Sequence, residues 1–479
     1  MSEHDSLNPS KPLDSAKSFE WLGLRSELFS RLSQLNFVQT TPVQAAALPH
    51  VLAGNDVVAQ ASTGSGKTAA FALGCLQRLV NTQFHVQSLV LCPTRELADQ
   101  VAESFRELAK HLANTKVITL CGGVAIGPQI GSLQHSAHVV VGTPGRVLKH
   151  LRKGTLHLHG LTTLVLDEAD RMLDMGFEDE IDAIFEYLPT PRQNLLFSAT
   201  FPDEVARVVK ALSPNAVRID VTTTERAPLI KERWCHAPSQ RDSTDRADVL
   251  ADALRHWGGK LNLVFCNTKI DCAQVSQVLR GRGFAAVALH GDLEQYERSQ
   301  TLIRFANGSA NVLVATDVAA RGLDIDDVDA VFNFELPHQT DVYVHRIGRT
   351  ARRGREGTAI SLVADREMPR LHSLEGEREA GAMKLWRADS AESKSAGTLS
   401  EPAVHTLEIN GGRKHKLRPG DILGALTAAN AIAADSVGKI DILPTVSYVA
   451  IAKDYSSAAQ GLINQRKIKG RQYRARGVG

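Results

Sequence analysis

The chain has 479 residues, 43% of them hydrophobic, and a net charge of +2, which suggests about three domains with enough apolar content for globular cores. Its six cysteines form no Cys-x-x-Cys pair. They indicate neither a zinc site nor a disulfide frame but small buried hydrophobes in a reducing cytosol, and no apolar run is long enough to span a membrane. The charge is uneven: residues 404–479 hold 12 Lys and Arg against 5 Asp and Glu, a net of +7, leaving −5 on the rest, so the tail points to a polyanionic partner.

Residues 1–17 are polar, lack a signal-peptide pattern and read as disordered. From Phe19 to about Asp220, short apolar runs alternate with helical patterns. Val57-Val58-Ala59, Leu89-Val90-Leu91-Cys92, Val117-Ile118-Thr119-Leu120, Val139-Val140-Val141, Leu164-Val165-Leu166 and Leu195-Leu196-Phe197 read as strands of a parallel sheet covered on both faces. The first strand runs into Ala61-Ser62-Thr63-Gly64-Ser65-Gly66-Lys67-Thr68, and a helical pattern follows from Ala69 to Leu73. This is the pattern of a phosphate-binding loop. Gly64 and Gly66 let backbone N–H groups approach phosphate oxygens, Lys67 reaches the outer phosphates, and the Thr68 hydroxyl binds magnesium. Ala61 stands where the strict pattern has its first glycine. About a hundred residues on, Leu164-Val165-Leu166 ends in Asp167-Glu168-Ala169-Asp170. Two adjacent carboxylates at such a strand end supply a magnesium ligand and an acid that positions water.

Residues 222–231 lack periodicity and read as a linker, giving a first unit of 18–221. The alternation resumes over 232–388 with Leu263-Val264-Phe265, Ala286-Val287-Ala288-Leu289, Val312-Leu313-Val314, Ala330-Val331-Phe332 and Ala359-Ile360-Ser361-Leu362. Residues 389–403 are rich in Ser, Ala, Glu and Lys, a second linker before the basic piece 404–479. Polar clusters recur after the strands: Pro93-Thr94-Arg95-Glu96, Thr143-Pro144-Gly145-Arg146, Ser198-Ala199-Thr200, Ala315-Thr316-Asp317, Arg321-Gly322-Leu323-Asp324 and His345-Arg346-Ile347-Gly348-Arg349-Thr350. In open parallel sheets the loops at these ends form the ligand crevice.

In these motifs, from Phe19 to about Leu371, the chain resembles the DEAD-box RNA helicases. The resemblance implies two RecA-like parallel-sheet domains in tandem that clamp ATP, with Mg2+, and RNA between them. By the same resemblance Phe19 stacks on adenine and Gln44 reads its edge. The nucleotide loop is Ala61 to Thr68, Asp167 holds magnesium through water, and Glu168 orients the attacking water. Asp324 contacts the ribose, and Arg346 and Arg349 are arginine fingers. Ser198, Thr200, Asp170 and His345 couple hydrolysis to closure. The RNA face implied comprises Thr94, Arg95, Gly122, Gly123, Thr143, Gly145, Arg146, Asn267, Thr268, His290-Gly291-Asp292, Gln295, Arg298, Thr316 and Arg321. Such groups bind phosphate and sugar without reading bases. Asn36 and Ala351 stand where that family usually has glycine, and Thr40 where it often has proline.

The tail reads as β-α-β-β-α-β, the order of an RRM. It resembles the C-terminal domain of DbpA-type members, bacterial proteins acting on large-subunit ribosomal RNA. Lys467-Ile468-Lys469-Gly470-Arg471-Gln472-Tyr473-Arg474 is expected as the last, basic strand, with Lys467, Lys469, Arg471 and Arg474 on RNA. The aromatic stacking signature is mostly missing: Val446 and Ile451 occupy the positions expected to be aromatic in the third strand, Tyr448 remains, and Glu408 takes the aromatic position of the first. Basic loops and edges gripping a folded hairpin is therefore the expectation, and the resemblance implies a hairpin in the peptidyl-transferase region. The whole reads as a cytoplasmic, monomeric RNA helicase acting on pre-50S particles, not on DNA or membranes. An ATP-gated RNA clamp without strand separation uses the same residues and is the alternative.

Overall fold

The computed structural model describes residues 17–62, 64–135, 137–221, 229–238, 243–320, 328–351, 355–376, 383–387, 401–428 and 431–478. The chain divides into two compact units. One comprises residues 1–227 with 322–324; the other, residues 228–321 and 325–479, holds both the second parallel sheet and the tail.

The first unit is built on β1 (Val57–Gln60), β2 (Ser88–Leu91), β3 (Val117–Leu120), β4 (Val139–Gly142), β5 (Thr163–Asp167), β6 (Gln193–Ser198) and β7 (Val217–Asp220). They pair in parallel in the order β3-β4-β2-β5-β6-β1-β7. Alternation along each strand explains why both faces must be apolar. Val57 and Ala59 enter one core cluster and Val58 the other; Val90 and Leu89 divide in the same way. Helices then cover both faces, which is what a parallel sheet requires. Threonines start several of these helices. Thr41 and Gln44 form a capping box on Pro42–Ala53, and Thr94 caps Arg95–Leu108. The edge strand β7 was not expected from the sequence.

The second parallel sheet comprises β8 (Ile230–His236), β9 (Asn262–Cys266), β10 (Ala286–Leu289), β11 (Val312–Thr316), β12 (Ala330–Asn333), β13 (Gly357–Val363) and β14 (Met383–Leu385). Its order is β10-β11-β9-β12-β13-β8-β14. Strand β8 begins inside the stretch expected to be linker, because Ile230 to His236 pair residue for residue with Gly357 to Val363. A buried ion pair, Arg246 to Glu367 at 2.7 Å, ties the first helix of this unit to the segment after β13, and Arg246 also donates to the Phe334 and Leu362 carbonyls. Two departures from the family pattern have a backbone consequence. Asn36 (φ 58°) and Ala351 (φ 59°) both adopt the left-handed conformation that glycine takes without steric cost.

The tail contains β15 (Val404–Ile409), β16 (Val437–Ile442), β17 (Ser447–Ala452), β18 (Lys467–Ile468), β19 (Arg471–Gln472) and β20 (Ala475–Val478), with helices Pro419–Thr427 and Ser456–Gln465. Its antiparallel sheet runs β16-β17-β15-β20. Leu407, Ile409, Val449 and Ile451 meet Ile422, Leu426, Ala459 and Ile463 in the core. Two expectations are corrected here. The stretch Lys467 to Arg474 is not the last sheet strand: β18 and β19 form their own hairpin about Gly470, whose φ of 77° makes the tight turn, and β20 closes the sheet. Ile451 lies in the core, and its strand neighbours Tyr448 and Ala450 lie outside that cluster.

Candidate nucleotide site and RNA interface

The phosphate-binding loop connects β1 to the helix Lys67–Arg78. Gly64 (φ 80°) and Gly66 (φ 97°) hold conformations that a side chain would strain. Lys67 is 6% exposed and its Nζ donates to the Ala61 carbonyl at 2.8 Å, so the ammonium sits inside its own loop. Ser65 Oγ donates to the Ser62 carbonyl at 2.8 Å, and Thr68 occupies the first helical turn, half-buried. Gln44 joins this loop. Its Nε2 donates to the Gly66 carbonyl at 3.1 Å and its Oε1 accepts from Thr41 N at 3.0 Å. A Cβ on Gly66 would lie 2.5 Å from Gln44 Nε2, so only glycine fits there. The side-chain amide expected to read adenine is thus committed to the capping box and the loop. Phe19 is 1% exposed and packs edge-on to Phe37 at 6.3 Å, so its ring offers no open face for stacking in this conformation.

The acidic segment ends β5. Asp167 is 2% exposed; burial pushes its carboxyl up to about 7, against the pull of the Lys67 ammonium and with the push of Glu168. Glu168 itself sits at φ 54°, ψ 53°, a left-handed conformation unfavourable for a side chain and characteristic of functional sites. Its Oε2 lies 3.2 Å from Arg171 Nη1 without hydrogen-bond geometry. Asp170 is a bridge to β6: its N–H donates to Ser198 Oγ at 3.2 Å, and its Oδ2 accepts from Thr200 N at 2.9 Å and Thr200 Oγ1 at 2.8 Å. Burial raises the Asp170 pKa, but the Thr200 and Ser198 hydrogen bonds outweigh it and hold the carboxyl below the ordinary range. A buried carboxyl pushed up in this way, as at Asp167, fits a cation. Among the described residues no group of three or more His, Cys, Asp or Glu could hold a metal alone. That fits a magnesium ion held by one or two protein groups and substrate phosphates.

In the second unit Arg346 is 1% exposed. Its guanidinium meets Asp317 twice, at 2.7 and 2.6 Å, Asn267 Oδ1 at 2.7 Å, Asn333 Oδ1 at 3.2 Å and the Glu335 carbonyl at 2.7 Å. An arginine engaged in this way braces its own domain, so the finger role expected of Arg346 does not fit its placement. Arg349 is 5% exposed one turn on, and His345 is exposed. Thr63, Arg321 and Asp324 lie outside the described residues.

Of the residues expected on RNA, Arg95 lies across Gly122 and Gly123, where a Cβ at Gly123 would fall 1.6 Å from its Nη1. Thr143 precedes the helix Pro144–Arg152; Gly145 is exposed and Arg146 is fixed by Gln129 Oε1 at 2.6 Å and the Val124 carbonyl at 2.9 Å. Thr268 caps the helix Lys269–Gly281, whereas the Asn267 amide is spent on Arg346 and the Leu336 carbonyl. Arg298 donates to the Ala319 carbonyl at 2.8 Å, Gln295 starts its helix, Thr316 ends β11, and Lys269 pairs with Asp292 at 2.9 Å beside His290 and Gly291. In the tail Lys467, Arg471 and Arg474 are exposed, while Lys469 pairs with Asp421 at 2.7 Å. Sequence reasoning missed the roles of Gln129 and Asp317. Nothing marks Gln129 in the sequence. Asp317 had a signal: an acid directly after Thr316 would repel RNA unless an arginine answered it.

Family models match in the same order. A DEAD/DEAH box helicase model covers residues 41–208, a helicase conserved C-terminal domain 245–354, and a DbpA RNA binding domain 406–476. The chain is 49% identical over 448 residues to the ATP-dependent RNA helicase DbpA of Escherichia coli K12, covering 93% of this chain and 96% of that protein. The chain belongs to the DEAD-box ATP-dependent RNA helicases. It is also 40% identical to a Bacillus cereus DEAD-box ATP-dependent RNA helicase, CshA, over 82% of this chain and 74% of that one. Among solved structures it is similar to Saccharomyces cerevisiae Dbp5 bound to RNA and ADP BeF3, with a TM-score of 0.71 at 34% identity, covering 79% of this chain and 98% of that one. As a DEAD-box helicase it hydrolyses ATP and binds RNA, on two RecA-like domains followed by a small α+β RNA-binding domain.

Proposed function

We propose that this helicase acts on large-subunit ribosomal RNA during assembly of pre-50S particles, in the cytoplasm and as a monomer, and that the tail selects a hairpin of the peptidyl-transferase region. The observation that carries this reading is the tail itself: a net +7 on 404–479, in a segment matching the DbpA RNA binding domain, with Lys467, Arg471 and Arg474 exposed. Six buried free thiols support a reducing compartment, and among the described residues no helix is long and apolar enough to cross a membrane.

In this mechanism ATP phosphates enter the Gly64 to Thr68 loop, and Lys67 exchanges the Ala61 carbonyl for the outer phosphates. The loop then moves with Gln44 through the Gly66 carbonyl, which frees that amide for adenine. Thr68 and Asp167 would hold magnesium, which supplies charge neutralisation at the phosphates. Glu168 orients the attacking water. Asp170 transmits the state of the site to Thr200 and β6. Arg349 brings positive charge to the γ-phosphate, and Arg346 holds its segment in shape by bracing Asp317. Thr94, Arg95, Thr143, Arg146, Gln295 and Arg298 grip RNA backbone without reading bases. The test is the ATPase rate of the full chain with large-subunit ribosomal RNA against random RNA of equal length. Clear preference for the ribosomal RNA is expected, and equal stimulation would remove the ribosomal assignment.

A further inference from the structure

The tail's sheet has one face toward its own helices and another that an RRM would offer to RNA bases. Thr406, Glu408, Tyr448 and Ala450 lie outside the tail's core cluster, yet their exposures are 0%, 7%, 0% and 2%. The helix Gln295–Ala306 of the second RecA-like domain, with the turn after it, supplies partners for Glu408 and Thr406. The Tyr296 hydroxyl donates to Glu408 Oε2, and Gln300 Nε2 donates to the same oxygen at 3.0 Å. From the tail, the Tyr448 hydroxyl donates to Oε2 at 3.2 Å and Arg476 Nε to Oε1 at 3.1 Å. Arg476 Nη2 also reaches the Tyr296 hydroxyl at 2.9 Å. Beside them Asn307 Nδ2 donates to Thr406 Oγ1 at 2.9 Å, and Ser309 Oγ meets that hydroxyl at 2.6 Å.

A carboxylate leaves water at high cost unless its lone pairs are filled. Glu408 fills them with donors from both sides of the seam, which makes it the shared acceptor of this contact. Tyr296 and Gln300 are four residues apart and so share one helix face. Gln295 and Arg298, the residues proposed for RNA, fall on a different face at 100° per residue. One helix can therefore serve the tail and the RNA at once. An aromatic at position 408 would offer a surface for base stacking but no acceptor for Tyr296, Gln300 or Arg476.

We infer that the outer face of the tail's sheet is a docking surface for the second RecA-like domain, not a platform for RNA bases, and that Glu408 is the positioning residue that registers it. Thiol labelling of the full chain tests this without RNA. All six native cysteines are buried, so Thr406→Cys places a reporter under the seam and Ala459→Cys, in the tail's core, places one that reports the tail's own folding. On the Thr406→Cys background, Glu408→Arg should speed labelling by about tenfold or more, as loss of hydrogen bonds to a charged group implies. Glu408→Gln, which keeps an acceptor, should fall between. Tyr296→Phe, which lies outside the tail, should also speed labelling. The Ala459→Cys reporter should stay slow throughout. Unchanged labelling on Glu408→Arg would overturn the inference. So would parallel acceleration of both reporters, which would make Glu408 a prop of the tail's own fold. A third contrary result is a seam thiol that labels at the open rate in the otherwise unchanged chain and is protected only when RNA is added, which would make the sheet an RNA surface. The inference rests on the ribosomal reading only in assigning the tail's RNA contacts elsewhere. Equal stimulation by ribosomal and random RNA would end that reading and leave the labelling result standing.

Discussion

The two parallel sheets have one plan and opposite chemistry. Adding seven to each strand number of β3-β4-β2-β5-β6-β1-β7 gives the order of the second sheet, β10-β11-β9-β12-β13-β8-β14. In the first, β1 leads into glycines, Lys67 and Thr68; its counterpart β8 leads to Pro238, with no glycine or lysine-threonine pair after it. In the first, β5 ends in the carboxylate of Asp167; its counterpart β12 ends in Asn333, whose Oδ1 accepts from Arg346. One sheet edge is built to hold phosphate and cation, the other to hold arginine. The scaffold is shared, and the function lies in the residues at and just beyond each strand's end.

The largest expected effect is on hydrolysis at the acidic edge. Glu168→Gln should cut RNA-stimulated ATPase below roughly a tenth of wild type while ATP binding, measured by nucleotide titration, survives, because the residue acts on water and not on ground-state binding. Lys67→Ala should lose binding as well as turnover. A Glu168→Gln enzyme that turned over normally would remove the water-positioning role from this edge.

The arginine edge should separate into two functions. Arg349→Ala should lower stimulated ATPase by a factor on the order of 10³–10⁵, the range for arginine fingers in related NTPases. Arg346→Ala should instead show its first effect in thermal melting of the second unit. Removing one partner of a buried pair costs about 3–5 kcal/mol, since Asp317 is left unanswered. If Arg346→Ala lost activity with unchanged melting, the bracing role would be wrong.

Asp170 gives a smaller, pH-dependent effect. Its pKa is depressed, so its contribution to stability is present above the ordinary carboxylate pKa and lost as pH falls through the folded value. Thr200→Val should cost about 1.5–3 kcal/mol near neutral pH. The difference from wild type should shrink below about pH 4. A difference independent of pH would mean that Thr200 acts through packing alone. Smaller still, Ala351→Gly should stabilise the second unit by about 1 kcal/mol, because alanine at φ 59° bears a steric cost that glycine avoids. Melting temperature reads this directly.

Much of this was legible because it rests on local pattern. Near-continuous apolar strands announce a parallel sheet, and Gly64-Ser65-Gly66-Lys67-Thr68 and Asp167-Glu168 announce phosphate and cation chemistry by residue type alone. What was illegible depends on where side chains meet. Arg346 and Arg349 read alike in the sequence, and only the fold shows that Asp317, Asn267 and Asn333 converge on the first. Gln44 and Phe19 carry a ligand expectation, yet here the amide serves Gly66 and the ring is buried. Strands β7, β8 and β14 carry little apolar pattern and are not announced by the sequence. The basic run Lys467 to Arg474 suggests the tail's last strand, whereas it forms the hairpin β18–β19 and the sheet is closed by β20 beyond it. Glu408 reads as a missing aromatic in the sequence, and two of its partners, Tyr296 and Gln300, lie more than a hundred residues away on another domain.

We propose that the parallel-sheet domains drive hydrolysis on any RNA and that the tail chooses which. The most direct measurement is RNA-stimulated ATPase of the chain ending before residue 404, with large-subunit ribosomal RNA and with random RNA of equal length. Weak stimulation, equal for the two RNAs, is expected, because backbone contacts of the phosphate-and-sugar type carry no sequence code. A truncated chain that still preferred ribosomal RNA would contradict it.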